Sequence, residues 1–330
     1  MSDAVPTPLR RRAVLAGIGT YLPEKIVSNA EMAERVDTSD EWIVERTGIR
    51  QRHFAGSHET CAFMGAAAAR GALATARVAA EDVGAIILAT STPDQAFPST
   101  AVHVQGMLGA KNAFGFDIAA ACSGFIYALG VAESMIRTGQ VDHILVIGSE
   151  VYSRILNFAD RGTCVLFGDG AGAVLLSARD VAADGPGILS THLHSDGTLT
   201  DILYVDGAVG QPDRPGHLVM NGREVFRHAV TLLASAVNEA LTANGMSAKD
   251  IDWLVPHQAN RRIIDGVGRK LGLPQERVVV TVDQHANTSA ASIPLALAQA
   301  INDGRIKPGH LVLLEALGGG LTWGSALLRL

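Results

Sequence analysis

The chain has 330 residues, 48% of them hydrophobic and 18% charged, which is apolar material for roughly two domain-sized cores and lies far from the polar, charged range of disordered segments. A formal net charge of −6 argues against a nucleic-acid-tracking surface, which needs a large cationic excess. Aromatics make up only 5% against 35 glycines, so the interior is to be filled by closely packed Ala, Val, Leu and Ile with many bare backbone approaches, as in layered α/β architecture.

Arg10-Arg-Arg12 ahead of the apolar run 13–19 imitates an export leader. The run is short for that purpose, and Pro23-Glu24-Lys25 stands where a cleavage site belongs, so a buried first strand over 13–20 is the better reading. Further strands are expected at 85–90, 113–118, 143–148 and 165–176, with helices at 60–77, 100–108 and 123–138. The pattern then repeats, with strands at 187–194, 253–256, 277–282, 310–315 and 322–330 and helices at 223–243, 261–270 and 289–303. Each half reads β-α-β-α-β-α-β-β, joined near 177–186, which divides the chain into 1–180 and 181–330. The loop 195–216, rich in Gly, Asp and Pro, is expected to border a substrate channel. No apolar run reaches the ~18 residues of a membrane helix.

Spacing sharpens the duplication. Cys122 stands 17 residues before Gly139 (139 − 122) and Asn287 stands 17 before Gly304 (304 − 287), each glycine closing a helix. Leu108-Gly109 and Leu271-Gly272 close the preceding helix in each half, so Cys122 and Asn287 occupy equivalent points of two pseudo-symmetric copies.

The three cysteines, Cys61, Cys122 and Cys164, leave an odd thiol and suit a reducing, cytoplasmic compartment. Cys61, read as the middle of an Ala-rich helix, and Cys164, read in a buried strand, are ordinary small core residues. Cys122 stands before the apolar helical pattern Phe125, Ile126, Leu129, Ala132 and Ile136, where a helix N-terminus favours thiolate and can lower a thiol pKa to roughly 4 to 7. His257 ends the strand 253–256, at the edge where parallel α/β sheets gather ligands. Pseudo-symmetry brings Asn287 toward the same centre, and His285 reads as loop support. His192 and His194, with Asp196 nearby, lack the further ligands of a metal site. Gly17-Ile-Gly19 lacks the third glycine of a dinucleotide loop. Gly168-Asp-Gly-Ala-Gly172 allows close backbone approach, and Gly318-Gly-Gly320 is a candidate oxyanion donor.

These residues resemble the thiolase-fold ketosynthases, specifically the initiating β-ketoacyl-acyl carrier protein synthase III family, along nearly the whole chain. The likeness runs through Gly17-Ile-Gly-Thr-Tyr-Leu-Pro23, Asp37-Thr-Ser-Asp-Glu-Trp-Ile43, Arg46-Thr-Gly-Ile-Arg50, Ala119-Ala-Ala-Cys122, Asp160-Arg-Gly162, Phe167-Gly-Asp-Gly-Ala-Gly172, Val255-Pro-His-Gln-Ala-Asn260, Asn287-Thr-Ser-Ala-Ala-Ser292 and Gly318-Gly-Gly-Leu-Thr-Trp-Gly-Ser325. It implies a layered α-β-α-β-α sandwich and a ping-pong Claisen condensation. Cys122 takes an acyl group from acyl-CoA, most readily acetyl-CoA, and passes it to the carbanion formed by decarboxylating malonyl-acyl carrier protein. His257 and Asn287 would stabilise the enolate, and the N–H groups of Cys122 and Gly319 the oxyanion.

The resemblance further implies CoA contacts at Thr38, Trp42, Arg46, Arg161 and Asn260, and carrier-protein contacts at Gln258, Ala259, Asn260, Arg261, Arg262, Arg223 and Arg227. Phe167 and Leu317 would line the acyl pocket, and Phe97 would reach across a homodimer interface. No cofactor, metal, membrane or nucleic acid is implied, acyl-CoA being a substrate. Leu317 and Leu321 stand where phenylalanines are found in well-known members, so a reshaped pocket is expected. Ala286 replaces a common glycine, suggesting a backbone that need not be left-handed. A secondary-metabolism acyltransferase or ketosynthase and a noncatalytic partner subunit remain alternative readings.

Overall fold

The computed structural model describes residues 9–207 and 213–330. In its first half, β1 (Arg10–Tyr21) leads into a cap of two short strands, β2 (Ile26–Ser28) and β3 (Gln51–His53), enclosing helices α1 (Asn29–Ala33) and α2 (Asp40–Thr47). Then follow α3 (Cys61–Ala76), β4 (Ala85–Ala89), α4 (Thr100–Leu108), β5 (Phe114–Ile118), α5 (Gly124–Arg137), β6 (His143–Glu150), the single turn α6 (Arg161–Cys164) and β7 (Gly170–Val181). The second half comprises β8 (Gly187–Ser195), β9 (Leu203–Val205), β10 (Leu218–Met220), α7 (Gly222–Ala243), β11 (Trp253–Pro256), α8 (Arg261–Leu271), the turn α9 (Val282–His285), α10 (Ser292–Asn302), β12 (Leu311–Gly318) and β13 (Thr322–Arg329).

The first sheet has the order β5-β4-β6-β7-β1, with β4 parallel to β5 and β6, and β7 antiparallel to β6 and β1. The second has the order β11-β12-β13-β8, with β11 parallel to β12, and β13 antiparallel to β12 and β8. Taken in chain order within each half, these are the same sheet. The edge that carries β5 in the first is reduced in the second to one parallel bridge between Leu254 and Val278.

Five layers result. Helices α3 and α4 cover the first sheet from outside, α7 covers the second with α8 packed on it, and α5 and α10 lie between the sheets, touching both. Nearly every residue of α10 is buried, Ile293, Leu295, Leu297 and Ala300 among them, as a helix apolar on all sides requires. The middle core joins Phe125, Ile126 and Leu129 to Val146, Val174, Val255, Val312 and Leu314, each large side chain contributing roughly 1.5–3 kcal/mol of burial. Glycines set the spacing. A Cβ on Gly19 would lie 2.2 Å from Ala68 O of α3, and one on Gly148 would lie 2.2 Å from Ala290 O. The Gly17–Gly19 pair is therefore a strand–helix contact.

Several expectations are corrected. The strand placed at 165–176 starts only at Gly170 and runs to Val181, because Arg161–Cys164 coil into a helical turn and Phe167 is drawn into a parallel bridge with Asn287. Cys164 thus sits in that turn and not in a strand. Cys61 is the first residue of α3, not its middle, and follows the Thr60 cap, whose hydroxyl accepts from Phe63 N. The run 277–282 forms no strand beyond the Val278 bridge before coiling into α9. The link between the halves shrinks to 182–186, since Ser177 pairs within β7. Of the loop 195–216, β9 pairs antiparallel with β10 across residues 206–217, of which 208–212 lie outside the described residues.

Candidate active site

Chain tracing out of β5 passes through Ala119 and Ala120 to Ala121, whose φ is +44°. That left-handed residue swings Cys122 into a 3₁₀ turn, Ala121–Ser123, which runs directly into α5. The turn is tied to the glycine turn 318–320 by two hydroxyls. Ser123 Oγ lies 2.8 Å from Thr322 Oγ1, which in turn lies 3.1 Å from both Ala120 O and Gly319 O. Gly318 lies so close that a Cβ on it would be 2.6 Å from Cys122 N. At Gly319, the expected donor, a Cβ would lie 2.6 Å from Leu203 O.

Asn287 is held by its backbone and by half of its side chain. Its N–H donates to Leu166 O at 2.9 Å and its carbonyl accepts from Gly168 N at 3.0 Å. Its Oδ1 accepts from Ser289 N at 2.9 Å, so the oxygen is occupied and the Nδ2 amide remains as the donor. The preceding Ala286 has φ +57° and ψ −161°, which overturns the expectation of an ordinary backbone there. Placing Asn287 against Leu166 and Phe167 forces this region, normally glycine's, at a cost of about 1–3 kcal/mol.

His257 leaves β11 with its N–H on Glu315 O at 2.8 Å. Its Nδ1 lies 2.6 Å from Ser292 Oγ, which accepts from Gln258 N at 3.3 Å. The Ser292 hydroxyl proton then has Nδ1 as its acceptor, which leaves Nε2 carrying the imidazole proton. Burial lowers the imidazole pKa to about 3, so the ring is neutral.

Cys122, His257 and Asn287, each 5 or 6% exposed, line a single cavity of about 330 Å³. Phe167, Leu203, Met220, Leu233 and Leu317 supply apolar wall, and Trp42, Arg46, Asn260 and Arg262 line it as well. Phe167 is stacked on Tyr152 with centroids 4.8 Å apart. Two guanidinium groups lie over the Trp42 ring, Arg46 at 4.6 Å and Arg161 at 4.9 Å from its centre. Burial pushes the Cys122 thiol up to about 12, with Glu150 acting in the same direction. This corrects the low value expected from the helix start: a thiol enclosed on all sides loses more from dehydration than the helix end returns.

The remaining predicted residues divide. Asn260 caps α8 by accepting from Ile263 N, and Thr38 lies apart from the cavity lining with a buried, unpartnered Oγ1. Gln258 is corrected: it is fully buried, its amide spending all its bonds on Pro256 O, Val279 O, Thr281 N and Val282 N. It braces the His257 turn and presents nothing to a partner. Ala259 is half-buried, and Arg223, Arg227, Arg261 and Arg262 are exposed on the adjoining α7 and α8. Arg227 pairs with Glu224 and Arg261 with Asp265. Phe97 is 85% exposed. His285 borders a separate, more open cavity of about 390 Å³ with Thr20 and Leu22. His192 and His194 both engage Glu239, and among the described residues no three metal-capable side chains come together. Asp169 of the 168–172 motif accepts from Ala55 N, Ser153 N and Ser153 Oγ, so that motif knits the cap to the sheet.

Two like sheets that bring a cysteine from the start of one central helix to a histidine and a carboxamide from the other half define a thiolase-fold condensing enzyme. A family model described as 3-oxoacyl-[acyl-carrier-protein (ACP)] synthase III matches residues 116–197, and the model for the C terminal of that synthase matches 241–330. The β-ketoacyl-[acyl-carrier-protein] synthase III of Acidiphilium cryptum is 68% identical over 319 residues, 97% of this chain and 99% of that protein. The Granulibacter bethesdensis protein of that name is 63% identical over 321 residues, 97% and 100% of the two chains. Among solved structures, 3-oxoacyl-[acyl-carrier-protein] synthase III from Aquifex aeolicus matches with a TM-score of 0.91 at 46% identity, covering 96% of this chain and 100% of that one. The priming β-ketosynthase of the R1128 polyketide pathway matches with a TM-score of 0.91 at 38% identity, covering 100% and 99%. The chain belongs to the β-ketoacyl-[acyl-carrier-protein] synthase III family, condensing acyltransferases of fatty acid synthesis.

Proposed function

We propose that this enzyme joins a short acyl group from acyl-CoA, acetyl first among them, to malonyl-acyl carrier protein through an acyl thioester on Cys122. The observation that carries this is the convergence of Cys122, His257 and Asn287 on one largely apolar cavity whose lining also includes Trp42 and Arg46. Cys122 sulfur attacks the thioester carbonyl, the carbonyl oxygen becomes an oxyanion held by the Cys122 and Gly319 N–H groups, and CoA thiol leaves. Malonyl-carrier then binds with its thioester oxygen facing His257 Nε2–H and the Asn287 amide. Loss of carbon dioxide leaves an enolate that these two neutral donors stabilise without protonating its carbon. The carbanion attacks the acyl carbon, and the Cys122 sulfur departs as the β-ketoacyl-carrier product forms. The chemistry calls for no resident cofactor or metal.

Stacking on Trp42 and charge from Arg46 and Arg161 suit the adenine and phosphates of CoA, with Thr38 and Asn260 beside them. The exposed Arg223, Arg227, Arg261 and Arg262, with Ala259, suit an acidic carrier protein. The bare Phe97 suits a homodimer, in the cytoplasm, and the two halves serve as units 1–180 and 181–330. The 38% identity to a priming polyketide synthase supports a second reading, in which the primer belongs to secondary metabolism. Intact-protein mass spectrometry after mixing with a ladder of acyl-CoAs tests both. A single acetyl adduct on the wild type, absent from Cys122→Ser, is expected; adducts only with longer or branched primers favour the second reading, and no adduct with any primer refutes both.

A further inference from the structure

A thiol held up at about 12 must lose its proton during acylation, and the buried ground behind Cys122 shows where that proton can go. Glu150 closes β6 and is fully buried. Its Oε2 accepts from Thr90 Oγ1 at 3.0 Å, Ser91 N at 3.0 Å and Thr92 Oγ1 at 2.7 Å. Its Oε1 is buried without a hydrogen-bond partner. Three donors thus pin one oxygen and leave the other free.

Ser289 supplies the connection. It is fully buried in the second half, its φ is +49°, and its hydroxyl also lacks a well-formed hydrogen bond. The turn that carries it, 289–291, packs against both the Cys122 turn and β6, the strand that ends in Glu150, which brings the hydroxyl close enough to bear on the ionisation of the Cys122 thiol, the Glu150 carboxyl and the Tyr152 hydroxyl. A strained backbone that holds an unsatisfied hydroxyl where the turn of a buried thiol packs against the strand of a half-free carboxylate is the arrangement expected of a proton path.

We propose that Ser289 and Glu150 form a proton relay that activates Cys122. As the Cys122 S–H proton moves to Ser289 Oγ, the Ser289 O–H proton moves to Glu150 Oε1. The sulfur bonds to the acyl carbon, the carbon–sulfur bond to CoA breaks, and the CoA thiolate takes up a proton from solvent as it leaves, the Cys122 proton staying on Glu150. In the second half-reaction the departing Cys122 thiolate recovers a proton by the reverse path. Before and after each transfer the enclosed site carries one negative charge, on carboxylate or on sulfur, so no second charge is buried. Burial lifts the Glu150 carboxyl to about 7, within reach of both forms at neutral pH. The other titratable groups near it, Tyr152 and Cys61, are pushed up by burial and stay protonated.

The inference rests on Cys122 as the nucleophile, so two probes are used on the purified full-length enzyme: acetyl-CoA, read by single-turnover acylation, and iodoacetamide, read by alkylation of Cys122. Glu150→Gln is expected to slow both by about 10²–10³-fold at pH 7. It should also remove the rise in rate through about pH 7, leaving only the slow climb toward the thiol's own ionisation. Ser289→Ala should match it, and the double variant should be no slower than either, as members of one path behave. If Glu150→Gln does not fold, Ser289→Ala carries the same readouts alone. Wild-type rates with an unchanged pH profile overturn the relay, as does a lowered melting temperature with the profile intact. Wild type that alkylates but never acylates refutes the proposed function, while its alkylation profile still judges the relay.

Discussion

The two halves use one backbone device for opposite chemical ends. Ala121 (φ +44°) precedes Cys122 and Ala286 (φ +57°) precedes Asn287, at matched positions, and the helix-closing Gly139 and Gly304 share φ values of +78° and +79°. The strained alanine delivers the next side chain into the same cavity each time. What differs is the backing. Behind Cys122 lies a carboxylate with a free oxygen, whereas the Asn287 oxygen is locked to Ser289 N so that only N–H groups face inward. On the proposed chemistry, one half moves a proton and the other holds an oxygen. A duplicated scaffold can fix geometry while the residues one layer back decide the chemistry.

The sharpest way to break this division is Asn287→Ala. Cys122 acylation is expected to stay within a few-fold of wild type while condensation falls by about 10²–10³-fold, the loss typical of one oxyanion donor; equal losses in both half-reactions would erase the distinction. Next in size is Gly148→Ala, which drives a Cβ to 2.2 Å from Ala290 O and prises the second-half turn off the first sheet. Overpacking of that kind costs about 1–3 kcal/mol, read as a lower urea midpoint, and condensation should suffer more than Cys122 alkylation. The smallest effect belongs to Ala286→Gly and Ala121→Gly, each expected to raise stability by about 1 kcal/mol through relief of the positive φ. If only one of the pair gains, the two turns are not equivalent in energy.

Much of this arrangement was legible from residue order. Periodicity located all three central-site residues, and the 17-residue spacing to Gly139 and Gly304 marked the equivalence that the backbone angles bear out. The misses have physical causes. Val165, Leu166 and Phe167 look like strand because they are apolar and consecutive, yet they serve as cavity wall and as the bridge to Asn287. Residues 26–53 gave no element because β2 and β3 are three residues long and α1 and α2 are short and polar, held by caps such as Ser28 and Ser39 rather than by an apolar stripe. For Glu150 the sequence offers one signal, a lone acid three residues past the run Ile144-Leu-Val-Ile147 at a strand's C-terminal edge. The thiol is the expectation that fails: the helix start points to a lowered pKa, but enclosure, which raises it, is a property of the packed chain.

The bridge between Phe167 and Asn287 bears on how such an enzyme can diversify. Phe167 shapes the cavity wall and, through its backbone, steadies the carboxamide; Leu317 shapes the same wall from the end of β12 without that second duty. On the proposed function, lineages that shift toward bulkier primers would be free to vary at Leu317 and constrained at Phe167, where a gain in room would loosen the backbone that holds Asn287.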